Sequence, residues 1–176
     1  MSQLLERKSV LKVKEYLEYI DKSIKLIVLE ESARTAVDAA NSLKKDVGSI
    51  VKSLVFKSTE SNNYYLCLVS GDKYADINKI SNRINTKIKK ANADQCKAFT
   101  GYSIGGVSPV AHNNKPTEIL IDENLNRFDI VYAAAGHPYV VFGINYKKLC
   151  GITEGIISDI TDINTWASFM ISIDNK

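Results

Sequence analysis

Between residues 8 and 22 apolar side chains recur every three or four positions, with Val10, Val13, Leu17 and Ile20 on one side and charges between them. That period predicts an amphipathic helix covering one side of a core. A short β-branched run follows from Ile24 to Leu29. Thr35-Ala36-Val37-Asp38 then has the spacing of a capping box, with Asp in place of Glu or Gln, and predicts a helix to about Lys44. Its apolar positions Ala36, Ala39, Ala40 and Leu43 are mostly small, so it can lie close against a sheet.

Val47-Gly48 closes that segment, and Ile50 to Phe56 is the first strong strand. Side chains alternate faces along a strand, so Lys52 falls with Leu54 and Phe56, opposite Val51, Ser53 and Val55. An ammonium there sits either at the wet start of the strand or in a cleft. Alternation alone favours the wet start, because a buried unpaired charge is costly. Polar residues 58–63 and the run Tyr64 to Ser70 predict a hairpin closed by Gly71-Asp72.

Asp76 to Ile84 reads as a capped helix with Ile77, Ile80 and Ile84 on one face, Thr86 to Lys90 as a basic strand, and Ala93 as the start of a helical turn ended by Gly101. His112 to Lys115 reads as an exposed turn. Strands are expected at 118–122, 129–135 and 139–144, a helix capped by Asn145 through Leu149, and an edge strand within 155–160. Residues 161–176, with Trp166, Phe169 and Met170, read as a docked terminal helix or an extension. Short strands with interspersed helices make the class α+β, and 176 residues suit one domain.

Charge and cysteines narrow the chemistry. A net charge of +3 permits nucleic-acid binding without requiring it. Lys87, Lys89 and Lys90 form the densest basic cluster. Three scattered cysteines, with no CxxC, argue against a disulfide framework or zinc knuckle and for a reducing compartment, and the chain is placed in the cytoplasm. No membrane span is expected. Only His112 and His137 are available as histidines, neither at metal-ligand spacing, which argues against a metal site and leaves a histidine-based hydrolytic mechanism few parts; no Ser-His-Asp set stands out, and no phosphate or dinucleotide fingerprint is present.

What remains is a lysine in a strand and two small-residue loops. Gly101-Tyr102-Ser103-Ile104-Gly105-Gly106-Val107-Ser108-Pro109 carries adjacent glycines that let amide N–H groups converge on an anion or oxyanion, although a tight turn uses the same residues. The second loop, Ala133 to Pro138, is small-sided up to Gly136-His137-Pro138.

Four segments together carry a resemblance: Val47 to Phe56, Leu68-Val69-Ser70-Gly71-Asp72, Thr100 to Pro109, and Ala133 to Pro138. In order and spacing they closely resemble the YbaK-like family, which is related to the editing domain inserted in bacterial prolyl-tRNA synthetases. The resemblance spans about residues 33 to 160 of the single domain, leaving the 8–22 helix and the 161–176 extension outside it. It implies a curved, mixed, largely antiparallel, barrel-like sheet surrounded by helices. It implies a free-standing deacylase that hydrolyses the ester of a wrongly charged tRNA, often proline tRNA carrying a small amino acid.

By the same resemblance Lys52 matches the signature lysine, Gly105 to Pro109 the loop that places the ester, and Ala134 to Pro138 a segment lining the amino-acid pocket. The expected catalytic set is Lys52 with the Gly105 and Gly106 amides. Substrate contacts are expected from Val107, Ser108, Pro109, Ala134, Ala135, Gly136 and His137, and tRNA contacts from Lys87, Lys89 and Lys90. No cofactor or metal is called for. The expected partners are the aminoacyl-tRNA 3′ end and an aminoacyl-tRNA synthetase, with the protein a monomer or weak homo-oligomer. Two alternatives stay open: a tRNA- or synthetase-binding module without hydrolysis, and a hydrolase of small esters.

Overall fold

The computed structural model describes residues 2–30 and 35–162, so the expectation for the C-terminal extension lies, from residue 163 onward, outside the described residues. A short helix α1 (Ser2–Leu5) precedes α2 (Lys8–Ile20), which buries Val10, Val13 and Leu17 on one face. Ile20, the last residue of α2, is largely exposed. After β1 (Leu26–Val28), the capping box forms as its spacing requires: Asp38 N–H donates to Thr35 Oγ1 at 3.1 Å and Thr35 N–H to Asp38 Oδ2 at 3.2 Å. It starts α3 (Ala36–Leu43).

The hairpin is β2 (Ile50–Ser58) against β3 (Tyr64–Ser70), in register from Val51 opposite Ser70 to Lys57 opposite Tyr64. Helix α4 (Ile77–Ile84), β4 (Ile88–Lys90) and α5 (Ala93–Thr100) follow, the last ended by Gly101 at φ 84°. Then come β5 (Glu118–Asp122), a 3-10 turn at 123–127, β6 (Ile130–His137), β7 (Val140–Asn145), α6 (Tyr146–Thr153) and β8 (Ile156–Ser158).

The strands form one mixed sheet in the order β1-β7-β6-β2-β3-β5-β8, with β4 also on β2. The α+β class and the mixed sheet agree with the sequence. The barrel-like sheet is not a closed barrel: among the described residues the path starts and ends on three-residue strands, β1 and β8, that do not pair with each other. Period-two alternation sorts β3 between two cores. Leu66 and Leu68 join Val10, Val13 and Leu17 of α2, whereas Tyr65, Cys67 and Val69 pack with Phe56 and Ile80 of α4.

The two edges of β2 are paired unequally. On one side β3 pairs along most of its length. On the other, β6 reaches only Ile50 and Val51, and β4 only Phe56 to Ser58. Among the described residues, 52–55 therefore have no strand neighbour on that edge, and the Ala91 N–H closes one end by donating to the Val55 carbonyl at 2.9 Å. Main-chain groups alternate direction by two, so the Ser53 N–H and C=O point the same way as the Val55 carbonyl, into the gap.

His112 is not part of an exposed turn. Its Nε2 lies 2.7 Å from the Ser108 carbonyl, which can only accept, so Nε2 carries the proton. Burial lowers the His112 pKa from 6.5, outweighing that hydrogen bond, and the Lys12 charge lowers it further. The unfolded chain then binds a proton on this residue that the folded protein resists. Stability from this source is present above pH 6.5 and lost as the pH falls toward the folded pKa. Urea midpoints should drop between pH 7.5 and 5.5, and His112→Gln should reduce that drop.

Candidate active site

At the gap in the sheet lies a cavity of about 350 Å³. Its walls include Lys52, Ser53 and Leu54 of β2, Tyr74, Lys90, Ile104, Gly105, Val107, Ala134 and Pro138. The sequence-separated lysine, glycine loop and alanine segment thus meet in one place.

Lys52 is half-buried and held, not at a wet strand start. Its Nζ donates to the Lys73 carbonyl and stands 5.2 Å from the centre of the Tyr74 ring. The reading from alternation alone fails because a carbonyl, a π face and two carboxylates compensate the ammonium, and all four lie beyond the strand itself. Burial pulls the Lys52 pKa below 10.5, Asp72 and Asp122 oppose this, and Lys90 adds to the lowering.

A polar network fixes the turn that supplies the Lys73 carbonyl. Arg127 donates through Nη1 to Asp72 Oδ2 at 2.9 Å and through Nη2 to Asp72 Oδ1 at 2.7 Å and Ser70 Oγ at 2.8 Å. Buried Asp122 accepts the Ser70 N–H at 3.0 Å, and Ser70 Oγ donates to the Gly48 carbonyl at 2.6 Å. Burial alone would raise the Asp72 pKa, but the hydrogen bonds and charge of Arg127 hold it below its ordinary 3.8, with the Lys73 charge adding to the lowering. Arg127→Met leaves Asp72 unpaired beside the turn. The expected cost is about 1–2 kcal/mol in urea unfolding, discounted for partial exposure, with roughly a tenfold loss of activity as Lys52 loses its seat.

The glycine loop is part wall and part packing. Gly105 is exposed, lines the cavity and has φ 86°, in the left-handed region. Gly106 does not line it. Its amide donates to the Ser103 carbonyl at 3.0 Å, and a Cβ there would stand 2.9 Å from His137 Cα. The expectation that the Gly106 amide serves the substrate is therefore replaced by a packing role. Among the described residues the Gly105 and Val107 amides have no hydrogen-bond partner. Ser108 and Pro109 are buried and do not line the cavity. Ser108 Oγ accepts the Val110 N–H at 3.3 Å, which stiffens the loop.

Along β6 only Ala134 of the expected contacts faces the cavity, joined by Pro138 from the following turn. Ala135 is fully buried in the α2 core. The pairing of β6 with β7 is irregular between Ala134 and His137. Gly136, at φ 85°, is where α2 touches the strand. His137 Nδ1 accepts the Tyr139 N–H at 3.1 Å and its ring meets Tyr139 edge-on, so it shapes the turn and does not line the cavity.

The lysine cluster divides. Lys87, Lys89 and Lys90 are all exposed. Lys90 is opposite Phe56, on the Lys52 face, and lines the cavity, whereas Lys89 is opposite Lys57 on the other face. Among the described residues no group of three or more His, Cys, Asp or Glu is placed to hold a metal ion, and no helix is long and apolar enough to cross a membrane.

Sequence reasoning missed Tyr74, Arg127 and the Ser53 main chain. The only local signals were an aromatic two residues after Gly71-Asp72 and an arginine after the β5 turn.

Residues 30–151 match the aminoacyl-tRNA editing domain. The chain belongs to that family. It is similar to a solved structure of a proposed trans-editing enzyme for prolyl-tRNA synthetase, with 34% identity, 89% of this chain and 98% of that one covered, and a TM-score of 0.82. A scaffold used for computational epitope grafting matches at 32% identity over 89% and 98% of the two chains, also at 0.82. A hypothetical protein matches at 25% identity over 86% and 99%, with a TM-score of 0.79. No curated protein matches the chain significantly. The YbaK-like resemblance seen in the four segments is thus shown for the editing domain as a whole.

Proposed function

We propose that this editing-domain protein hydrolyses the ester of mischarged aminoacyl-tRNA, with proline tRNA or a related tRNA carrying a small non-cognate amino acid as substrate. The observation that carries the reading is the half-buried Lys52 ammonium in the sheet gap, on the same cavity as the unpartnered Gly105 and Val107 amides. A reactive ester needs little more than placement of its carbonyl and stabilisation of the oxyanion.

In this reading the aminoacyl group enters the cavity past Ala134, and the Ser53 carbonyl in the gap accepts from its ammonium. Water adds to the ester carbonyl while the neighbouring ribose hydroxyl takes its proton and passes its own toward the leaving ribose oxygen, since among the described residues lining the cavity there is no carboxylate or imidazole to act as base. The Gly105 and Val107 amides and Lys52 bear the oxyanion charge. Collapse breaks the acyl–oxygen bond as that proton reaches the leaving ribose oxygen, releasing free amino acid and tRNA. Lys90 at the rim takes a backbone phosphate, with Lys87 and Lys89 further out, so binding weakens as salt rises.

The test is deacylation of proline, alanine, serine and threonine tRNAs, each charged with cognate and small non-cognate amino acids. Selective release from a mischarged tRNA supports the reading and names the substrate. Release from simple aminoacyl esters at equal efficiency supports a small-ester hydrolase instead.

A further inference from the structure

Tyr74 is a large aromatic residue left 46% exposed on the wall of a cavity. Its backbone is not loose. The Asp162 N–H donates to its carbonyl at 2.9 Å, and the next residue, Ala75, bridges to Thr161. The ring is held near the Lys52 ammonium, 5.2 Å from its centre, and Ile104, 54% exposed, lines the same cavity from the glycine loop. An exposed aromatic on pinned backbone and an exposed isoleucine, both on the wall of a cavity of about 350 Å³, leave a wet apolar rim that a folded protein gains nothing by keeping.

An aminoacyl group and ribose suit a cavity of this size, and the base attached to that ribose must then lie at the rim. Aromatic faces hold bases of any sequence by stacking. We propose that Tyr74 is the platform for the purine of the terminal adenosine, with Ile104 on the wall of the same cavity, so that the base is recognised by stacking and the acyl group by the cavity. This rests on the deacylase reading. Tyr74 also ties recognition to chemistry, because the ring that takes the base is the one that flanks Lys52.

The test uses an adenosine carrying alanine through a non-hydrolysable 3′-amide, and the same alanylamino-ribose with hydrogen in place of the base. Affinities are measured by calorimetry for the wild-type protein, Tyr74→Ala and Tyr74→Phe, with circular dichroism as the folding control. Wild-type protein should bind the adenosine compound at least about tenfold more tightly than the abasic one. Tyr74→Ala should weaken the adenosine compound far more than the abasic one, so that the difference between them collapses, and Tyr74→Phe should keep it.

Equal binding of the two compounds by wild-type protein overturns the platform and leaves the deacylase reading standing. An equal loss on both compounds in Tyr74→Ala also overturns it, assigning the ring to Lys52 alone. Binding of neither compound by wild-type protein overturns both readings.

Discussion

Lys52→Ala is expected to lower kcat/KM for aminoacyl-tRNA hydrolysis by about 10²–10³-fold, the usual cost of removing one preorganised oxyanion-stabilising group. The fold should survive, because the lost side chain is half-buried and its hydrogen bond is to a carbonyl on an already anchored turn. Circular dichroism and the urea midpoint separate this result from unfolding. If the cation is what matters, wild-type activity should also fall on the alkaline side at a pH below 10.5, because burial lowers the pKa of Lys52. That limb, measured as enzyme-dependent rate above spontaneous ester hydrolysis, should be missing in Lys52→Ala. Unchanged turnover in the variant would remove Lys52 from the mechanism.

Gly136→Ala should have the largest effect on stability, roughly 2–5 kcal/mol in urea unfolding. Two costs add. A φ of 85° strains any residue with a Cβ, by about 1–2 kcal/mol. The new Cβ would also stand 2.3 Å from the Ser9 carbonyl, so α2 must shift, for about 1–3 kcal/mol more. Gly105→Ala has almost the same φ, 86°, but its Cβ would meet nothing closer than Pro138 Cγ at 3.4 Å. It should lose only the strain energy. If Gly136→Ala were no less stable than Gly105→Ala, the packing role given to Gly136 would be wrong.

That pair also shows what was legible in the sequence. The glycines and the Ala133 to Pro138 segment stand out in the chain, and the sequence places both loops near a site. It does not separate the residue that faces the cavity from the one that faces a helix. Gly105 and Gly106 are neighbours, yet one lines the cavity and the other is spent on packing against His137. The distinction depends on what lies across from each, and for Gly136 that is α2, more than a hundred residues away in sequence.

Local elements were readable wherever a local rule fixes them. The Thr35 capping box, the β2–β3 hairpin and the Gly101 helix stop are set by spacing within a few residues. Lys52 needed more than alternation. Its partners come from the Lys73 turn and from Tyr74, held by a network that Arg127 completes across 55 residues. The open sheet was equally hidden, since closure depends on whether two short edge strands meet.

The most direct measurement is release of alanine from alanyl-tRNA-Pro at about a hundredfold excess over the protein, beside prolyl-tRNA-Pro under the same conditions. Multiple-turnover release of alanine with prolyl-tRNA-Pro left intact is the expected result. Failure to release alanine or any other small non-cognate amino acid, with tRNA binding intact, would contradict it and leave a binding module built on an editing-domain fold.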